Sequence, residues 1–325
     1  MRIYLPTTAH LGNIDAFLKS IETSDLSELK IAFHPKWVSV HPIVLALVAS
    51  LGESLKQRGV KILCEQMVAP SKNYFIRMGL FDYLGIVPPA VVEAHESAGR
   101  FIPLKRITGD VELKQFLDDL VPLLHLADHP EQAEAIKYTV SELVRNVLEH
   151  AESSQGAVVC AQYFKTSNKV AIGIADTGVG ILKTMGAVHS VSTDQDAMRL
   201  ALMPGVTGTT TQAGGTEANA GAGLFIVKSI AQVNRNYFLL YSGNAAYKLK
   251  RVPELGKVTL HADPLEDRHS FLTNLPYWQG TVVGIDISLN QTQSFASLLA
   301  KVREFYSLEK SRTKLRERMK RPKFI

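Results

Sequence analysis

Apolar residues recur along the chain with two periods, and each change of period marks an element. Residues 29–33 read as a short strand. Val44, Leu45, Leu47, Val48, Leu51 and Leu55 then fall at helical spacing, which predicts a long helix over residues 42–58. Pro42 suits its first turn, where a missing N–H is not needed, and Gly59 stops it. Residues 60–64 return as a buried strand, and residues 73–84 form a helix packing Phe75, Met78, Leu80 and Phe81. Pro88, Pro89 and Gly99 place a linker at about residues 88–103. Two helices follow within residues 109–151, the first with a Leu113, Phe116, Leu117, Leu120 stripe and the second spanning residues 130–151. Strands at 157–163, 170–175, 237–241, 246–249 and 281–288, with a helix at 224–233, predict a mixed sheet covered by helices.

Two stretches break this pattern. Residues 178–221 are rich in Gly, Ala, Thr and Ser, including Gly205, Gly208, Gly214 and Gly215, which suits a closing lid. Residues 255–276 show no clean period and read as an insertion or edge elaboration. Toward the end, Phe295, Leu298, Leu299, Val302, Phe305 and Tyr306 recur at three- and four-residue intervals, whereas Gln291 and Ser294 are polar. An amphipathic helix docked on protein is expected there, and Pro322 disfavours its continuing to the end. The fold class is thus α/β, divided into an α/β unit at 1–100, a second unit at 101–290, and a helix with a tail at 291–325.

Composition narrows the function classes. With 325 residues the chain has room for about two domains, and 46% hydrophobic against 21% charged residues is an ordinary globular balance. No apolar run reaches the roughly 20 residues of a membrane span, and no secretory signal pattern opens the chain, so membrane insertion is not expected. Cys64 and Cys160 lie in apolar runs, which favours burial over chemistry and a cytoplasmic setting. The net charge of +5 is uneven: residues 301–325 hold ten Lys/Arg and three Asp/Glu, leaving the rest of the chain slightly acidic. Lys310 to Lys323 reads first as a solubilising tail, then as a docking segment for an acidic protein surface. Nucleic acid is disfavoured, because the tail lacks interleaved aromatics and the body offers no matching basic excess.

Three segments carry candidate chemistry. In residues 141–151, Glu142 and Asn146 are four apart and share one helical face, where a carboxylate can activate water and an amide can supply oxygen to Mg²⁺. A solvated polar face is the plainer reading of that segment alone. In residues 171–181 an apolar strand delivers Asp176 into a turn with Gly178 and Gly180; an Asp can accept from adenine's exocyclic amine while glycines let backbone approach the base. A simple turn is the alternative. In residues 221–227, Gly221 and Gly223 precede Leu224 and an apolar helix, whose free N–H groups can receive phosphate. No Gly-Lys-Ser/Thr follows, against a P-loop, and the intervening lid argues against a dinucleotide fingerprint.

In this order the three segments resemble the GHKL or Bergerat-fold ATPases, the family of histidine kinases, Hsp90, gyrase B, MutL and anti-sigma kinases, over about 160 residues. The resemblance implies ATP and Mg²⁺ as cofactors, Glu142 as the catalytic glutamate, Asn146 as the magnesium-binding residue and Asp176 with Gly178 and Gly180 at adenine. It also implies Gly221, Gly223 and Leu224 at the phosphates, with Thr209 and Thr210 loosely aligned beside them, and Thr281 near adenine through water. Glu149 and His150 resemble a kinase-like continuation but are not read as catalytic; His150 suits the negative end of its helix.

Residues 1–100 resemble a STAS domain, from the strand–loop–helix–strand run at 29–64 and the closing "YFIRMGLFDYLG". The stretch Ser39-Val40-His41-Pro42 matches the place of a phosphoacceptor, and Ser39 is read either as an acceptor or as a hydroxyl capping the helix. The expected function is a Mg-dependent ATP-binding regulatory switch with ATPase activity. A serine/threonine kinase acting on a partner STAS protein and a non-catalytic ATP-gated interaction module are the alternatives. An unidentified regulatory protein is the expected partner, with a homodimer as an option. No His-Glu-x-x-Arg phosphoacceptor occurs, which argues against a self-phosphorylating histidine kinase.

Overall fold

Val170, Ile172 and Ile174 alternate with Ala171, Gly173 and Ala175, a pattern that suits a strand buried on both faces. The computed structural model describes residues 1–23, 27–90, 100–124, 126–210, 222–290 and 294–320, without the side chains of 123 and 313–320. It is a mixed α/β architecture with two principal sheets. The first layer runs β1 (Arg2–Leu5), β2 (Thr8–Ala9), α1 (Ile14–Lys19), β3 (Glu28–Phe33), β4 (Ser39–Val40), α2 (Pro42–Gln57), β5 (Lys61–Cys64), α3 (Lys72–Arg77) and α4 (Leu80–Leu84). Strands β1, β3 and β5 make a parallel three-stranded sheet, and β2 pairs with β4.

The second part contains β6 (Phe101–Ile107), α5 (Asp110–Leu123), α6 (Pro130–His150), β7 (Ala157–Phe164), β8 (Lys169–Ala175), α7 (Gly180–Gly186), α8 (Asp194–Ala201) and α9 (Gly223–Val233). It continues through β9 (Phe238–Gly243), β10 (Ala245–Leu249), β11 (His269–Leu272), β12 (Trp278–Ser288) and α10 (Phe295–Lys320). The seven-stranded sheet has the order β11-β10-β9-β12-β8-β7-β6.

Several expectations need correction. The sheet is not mixed: every neighbouring pair in it is antiparallel. The α7–α9 connection returns the chain so that β9 runs in the direction of β8, but β12 occupies the slot between them and opposes both. The expected linker at 88–103 reaches into β6, whose Pro103 is tolerated because β6 is an edge strand with an irregular register between Ile102 and Lys105. The expected helix over 73–84 is two short helices, broken at Gly79 with φ 75°. The supposed lid at 178–221 contains α7 and α8, the latter capped by the Thr193 hydroxyl, which accepts from the Asp196 N–H at 3.1 Å; its residues 211–221, with Gly214, Gly215 and Gly221, lie outside the described residues. Ser39 does not cap α2. The imidazole Nδ1 of His41 does, accepting from the Ile43 N–H at 3.1 Å, while Ser39 Oγ lies 3.0 Å from His10 Nε2.

Each strand of the large sheet turns alternate side chains to two cores. Val159, Ala161, Ile172, Ile174, Leu240, Val283 and Ile285 face α5–α9. Val158, Cys160, Ala175, Leu239, Tyr241, Ala246 and Val282 belong instead to one continuous apolar cluster with the interior of the first layer. Helix α2 therefore lies directly on the back of the sheet. Gly173 makes this possible: a Cβ there would be driven into the backbone of Pro42 and Ile43, and one on Gly284 would stand 2.8 Å from Ile43 Cδ1. Polar groups fasten the same seam. Tyr74 donates to Gln162 at 2.7 Å, Gln155 donates to Gln57 at 2.7 Å, and Glu53 of α2 pairs with Arg106 of β6. His41, fully buried, lies 3.3 Å from Asp286, which also pairs with Lys169 at 2.8 Å. Burial outweighs that carboxylate and holds the His41 pKa below the usual imidazole value.

The C-terminal α10 packs Phe295, Leu298, Val302 and Tyr306 against Ala135 of α6 and Phe225, Ile226 and Ile230 of α9. Its first amide donates to Glu131 at 2.8 Å, and Phe305 stacks on Phe225 with ring centroids 6.0 Å apart. Removing residues 309–325 is expected to leave folding intact. Removing everything from Phe295 uncovers the α9 face and should lower the soluble yield several-fold; equal yields and equal melting curves for the two truncations would contradict the docking role. Among the described residues no helix is long and apolar enough to cross a membrane.

Candidate functional site

On the helical side of the sheet a cleft with about 890 Å³ of empty space, open to solvent, lies between α6, α7, the residues after α8 and the start of α9. Its floor is the ends of β8 and β12, supplying Ile174, Asp176, Thr281 and Val283. Asn146, Val147 and His150 of α6 form one wall, and Ile181, Thr184 and Met185 of α7 another.

Asp176 is 1% exposed. Its Oδ1 accepts from the Gly178 N–H at 2.8 Å, whereas Oδ2 is buried without a hydrogen-bond partner among the described residues. Burial pushes the carboxyl pKa up to about 7, against the pull of its backbone N–H partners. The backbone around it is closely braced. The Asp176 N–H donates to Thr281 O at 2.9 Å, Trp278 Nε1–H donates to Asp176 O at 3.1 Å, and Ser242 Oγ donates to Gly280 O at 2.6 Å while accepting from the Ile181 N–H at 3.0 Å. Gly280, at φ 105°, lets the β12 backbone pass directly over Asp176. Gly178 lies hard against Ala151 at the end of α6, and the next amide, Val179 N–H, donates to Ala151 O at 2.8 Å. Gly180 begins α7 and lines the cleft.

Glu142 and Asn146 come together as their i, i+4 spacing requires, and both reach the start of α9. A Cβ on Gly223 would stand 2.7 Å from Glu142 Oε2 and 3.7 Å from Asn146 Nδ2. Asn146 Nδ2 is buried and has no hydrogen-bond partner among the described residues. Glu142 is half-buried, and desolvation raises its pKa, with Arg145 and Arg303 opposing and Glu149 adding to the rise. Gly223 and Leu224 line the cleft, so the N-terminal turn of α9 opens onto it.

Not every expected residue lines the cleft: Glu142 stands beside the start of α9 and Gly178 beneath the turn, and neither is among the lining residues. Thr209 is exposed, and neither Thr209 nor Thr210 is among the lining residues; the preceding Thr207 and Gly208 take that place. Thr207 Oγ1 lies 3.1 Å from Thr209 Oγ1, and its carbonyl is 2.8 Å from His189 Nε2, which fixes the loop. Gly221 lies outside the described residues. Thr184, Met185, Val206 and Thr207 were missed, because α7 reads as part of a flexible run and only the turn at Gly178–Gly180 gives any hint of it. The Ser39–His41 stretch faces the back of the sheet, and the fully buried His41 is closed to solvent. Compared with protein-family models and with curated proteins, the chain matches none.

Proposed function

We propose that this cleft binds ATP with Mg²⁺ and hydrolyses it in the manner of a GHKL-type ATPase, as a regulatory switch. The observation that carries the reading is a pair of buried polar atoms that have no partner among the described residues, at two parts of one site: Asp176 Oδ2 and Asn146 Nδ2. A buried acceptor and a buried donor without partners each cost roughly 1–3 kcal/mol unless a ligand completes them. Adenine's exocyclic amine suits the first, and a phosphate oxygen suits the second. The apolar walls of Val147, Ile174, Ile181, Met185 and Val283 suit a flat base, and the N-terminal turn of α9 suits phosphate.

Glu142, with its pKa raised by burial, accepts a proton from a water whose oxygen attacks the γ-phosphorus; the bond to the β,γ-bridging oxygen breaks, and ADP leaves with that electron pair. Among the described residues no group of three His, Cys, Asp or Glu could hold a metal ion, so Asn146 would hold the cation together with phosphate oxygens and water. Bound there, Mg²⁺ would screen the phosphate charge. The parallel β1–β3–β5 sheet with α2 supports reading the first layer as a STAS-like module, fixed to the back of the ATPase sheet as a scaffold.

Phosphate release from Mg-ATP tests this reading. Glu142→Ala should lower the turnover rate at saturating nucleotide by roughly 100-fold, the usual range for loss of a general base, with little change in nucleotide affinity. Equal rates for the two proteins would remove Glu142 from the reaction; nucleotide binding without any phosphate release in the unaltered protein would leave a non-catalytic switch.

A further inference from the structure

A second cleft lies on the opposite side of the sheet, where the first layer meets the β10–β11 edge. It is an open space of roughly 730 Å³ lined by Gly12, Tyr237, Lys248, Lys250, Arg251 and Arg268, with residues 252–254 closing one side. We propose that this cleft is an anion site for a phosphorylated small molecule, separate from the Asp176 cleft and independent of the ATPase reading.

The argument begins with unbalanced charge. Four cations line the space, and Glu254 is the single carboxylate residue among the lining. Lys248 is 3% exposed and already paired with Asp15 of α1. Asp267, next to Arg268 in sequence, is turned to the other core, where Lys228, Gln232 and Tyr247 all bind its carboxylate. Among the described residues Lys250, Arg251 and Arg268 have no ion pair. Three like charges gathered at one cleft repel each other, a cost that an anion would reverse.

The arginines are also held in place by backbone. Arg268 Nη1 donates to Arg251 O at 2.7 Å, Arg251 Nε donates to Arg235 O at 3.3 Å, and Arg235 donates to Pro253 O and, at 2.8 Å, to Gly256 O. These carbonyls orient the guanidinium groups without neutralising them, and leave further N–H groups for a ligand. A planar fork with spare donors matches phosphate oxygens in pairs. Lys250 continues the β10 ladder, its N–H donating to Arg268 O at 2.7 Å, so strand pairing ties it to the arginines. The space is too small for a folded partner to enter and large enough for a phosphate ester.

Inorganic pyrophosphate in Mg²⁺-free buffer, titrated calorimetrically at constant ionic strength, is the probe. The full-length protein should bind it saturably. Lys250→Glu, whose side chain makes no hydrogen bond among the described residues, should weaken binding at least tenfold without altering the melting curve; Lys250→Arg should retain it. Asn146→Ala should remove at most a separate binding event at the Asp176 cleft and leave the event that Lys250→Glu abolishes. No saturable binding in the unaltered protein, or affinity that survives Lys250→Glu but falls in Asn146→Ala, would overturn the proposal. Failure of the ATPase reading would appear separately, in the phosphate-release experiment.

Discussion

Asp176→Asn is expected to weaken Mg-ATP binding by roughly 100-fold, about 2.7 kcal/mol, while making the nucleotide-free protein more stable. The two effects have one cause. Asp176 Oδ2 is buried without a partner among the described residues, and an amide in its place would offer a donor where the proposed base's amine needs an acceptor. The carboxyl titrates at about 7 in the folded protein, against an ordinary value of 3.8. Between those values the folded chain holds a proton that the unfolded chain has released, so stability falls as pH rises through that window. The Asn variant has no such loss. At pH 8 its advantage should be on the order of 2 kcal/mol, below the limit set by the full shift, and at pH 4 it should vanish. Binding carries the opposite sign: the amine requires the carboxylate, so affinity of the unaltered protein should fall as pH drops below about 7, while the weak affinity of the variant stays flat. Thermal melts with and without Mg-ATP at pH 5 and 8 separate these outcomes. A variant that binds normally would remove Asp176 from adenine recognition.

Gly173→Val is expected to destabilise the protein by about 4–5 kcal/mol, the range of severe core lesions. Its Cβ would be driven into the Pro42–Ile43 backbone, which belongs to a helix start fixed by the His41 cap and the His41–Asp286 contact, so the neighbour has no easy retreat. Lifting α2 would also open the cluster that joins Cys160, Ala175 and Val282 to the first layer. Gly173→Ala should be milder yet still costly. Denaturant unfolding followed by tryptophan emission measures both, since Trp278 lies in that cluster; a Val variant within 1 kcal/mol of the unaltered protein would show that the layers are not held by this contact.

Local information determined much of the architecture before any tertiary contact was considered. The stripe at Val44–Leu55 yields α2, the run from Phe295 to Tyr306 yields a docking helix, and the spacing of Glu142 and Asn146 puts both on one face of α6. These are consequences of periodicity, which a linear pattern records completely. The placement of Asp176 at the end of an apolar strand was legible for the same reason. Pairing partners were not. That β12 inserts between β8 and β9 and makes the sheet antiparallel throughout depends on pairings distant in sequence, those with β8 more than a hundred residues apart. Nothing in the pattern of α2 states that its buried first turn lies on Gly173 rather than within its own layer, because a glycine in a strand looks alike whether it marks a bulge or a close approach. The choice of Thr207 over Thr209 was likewise tertiary, decided by the packing of Gly208 against Thr184 and by His189 holding the Thr207 carbonyl. The basic cleft belongs wholly to this second class: Lys250, Arg251 and Arg268 are ordinary surface cations in the sequence, and only the edge pairing of β10 with β11 gathers them around one space.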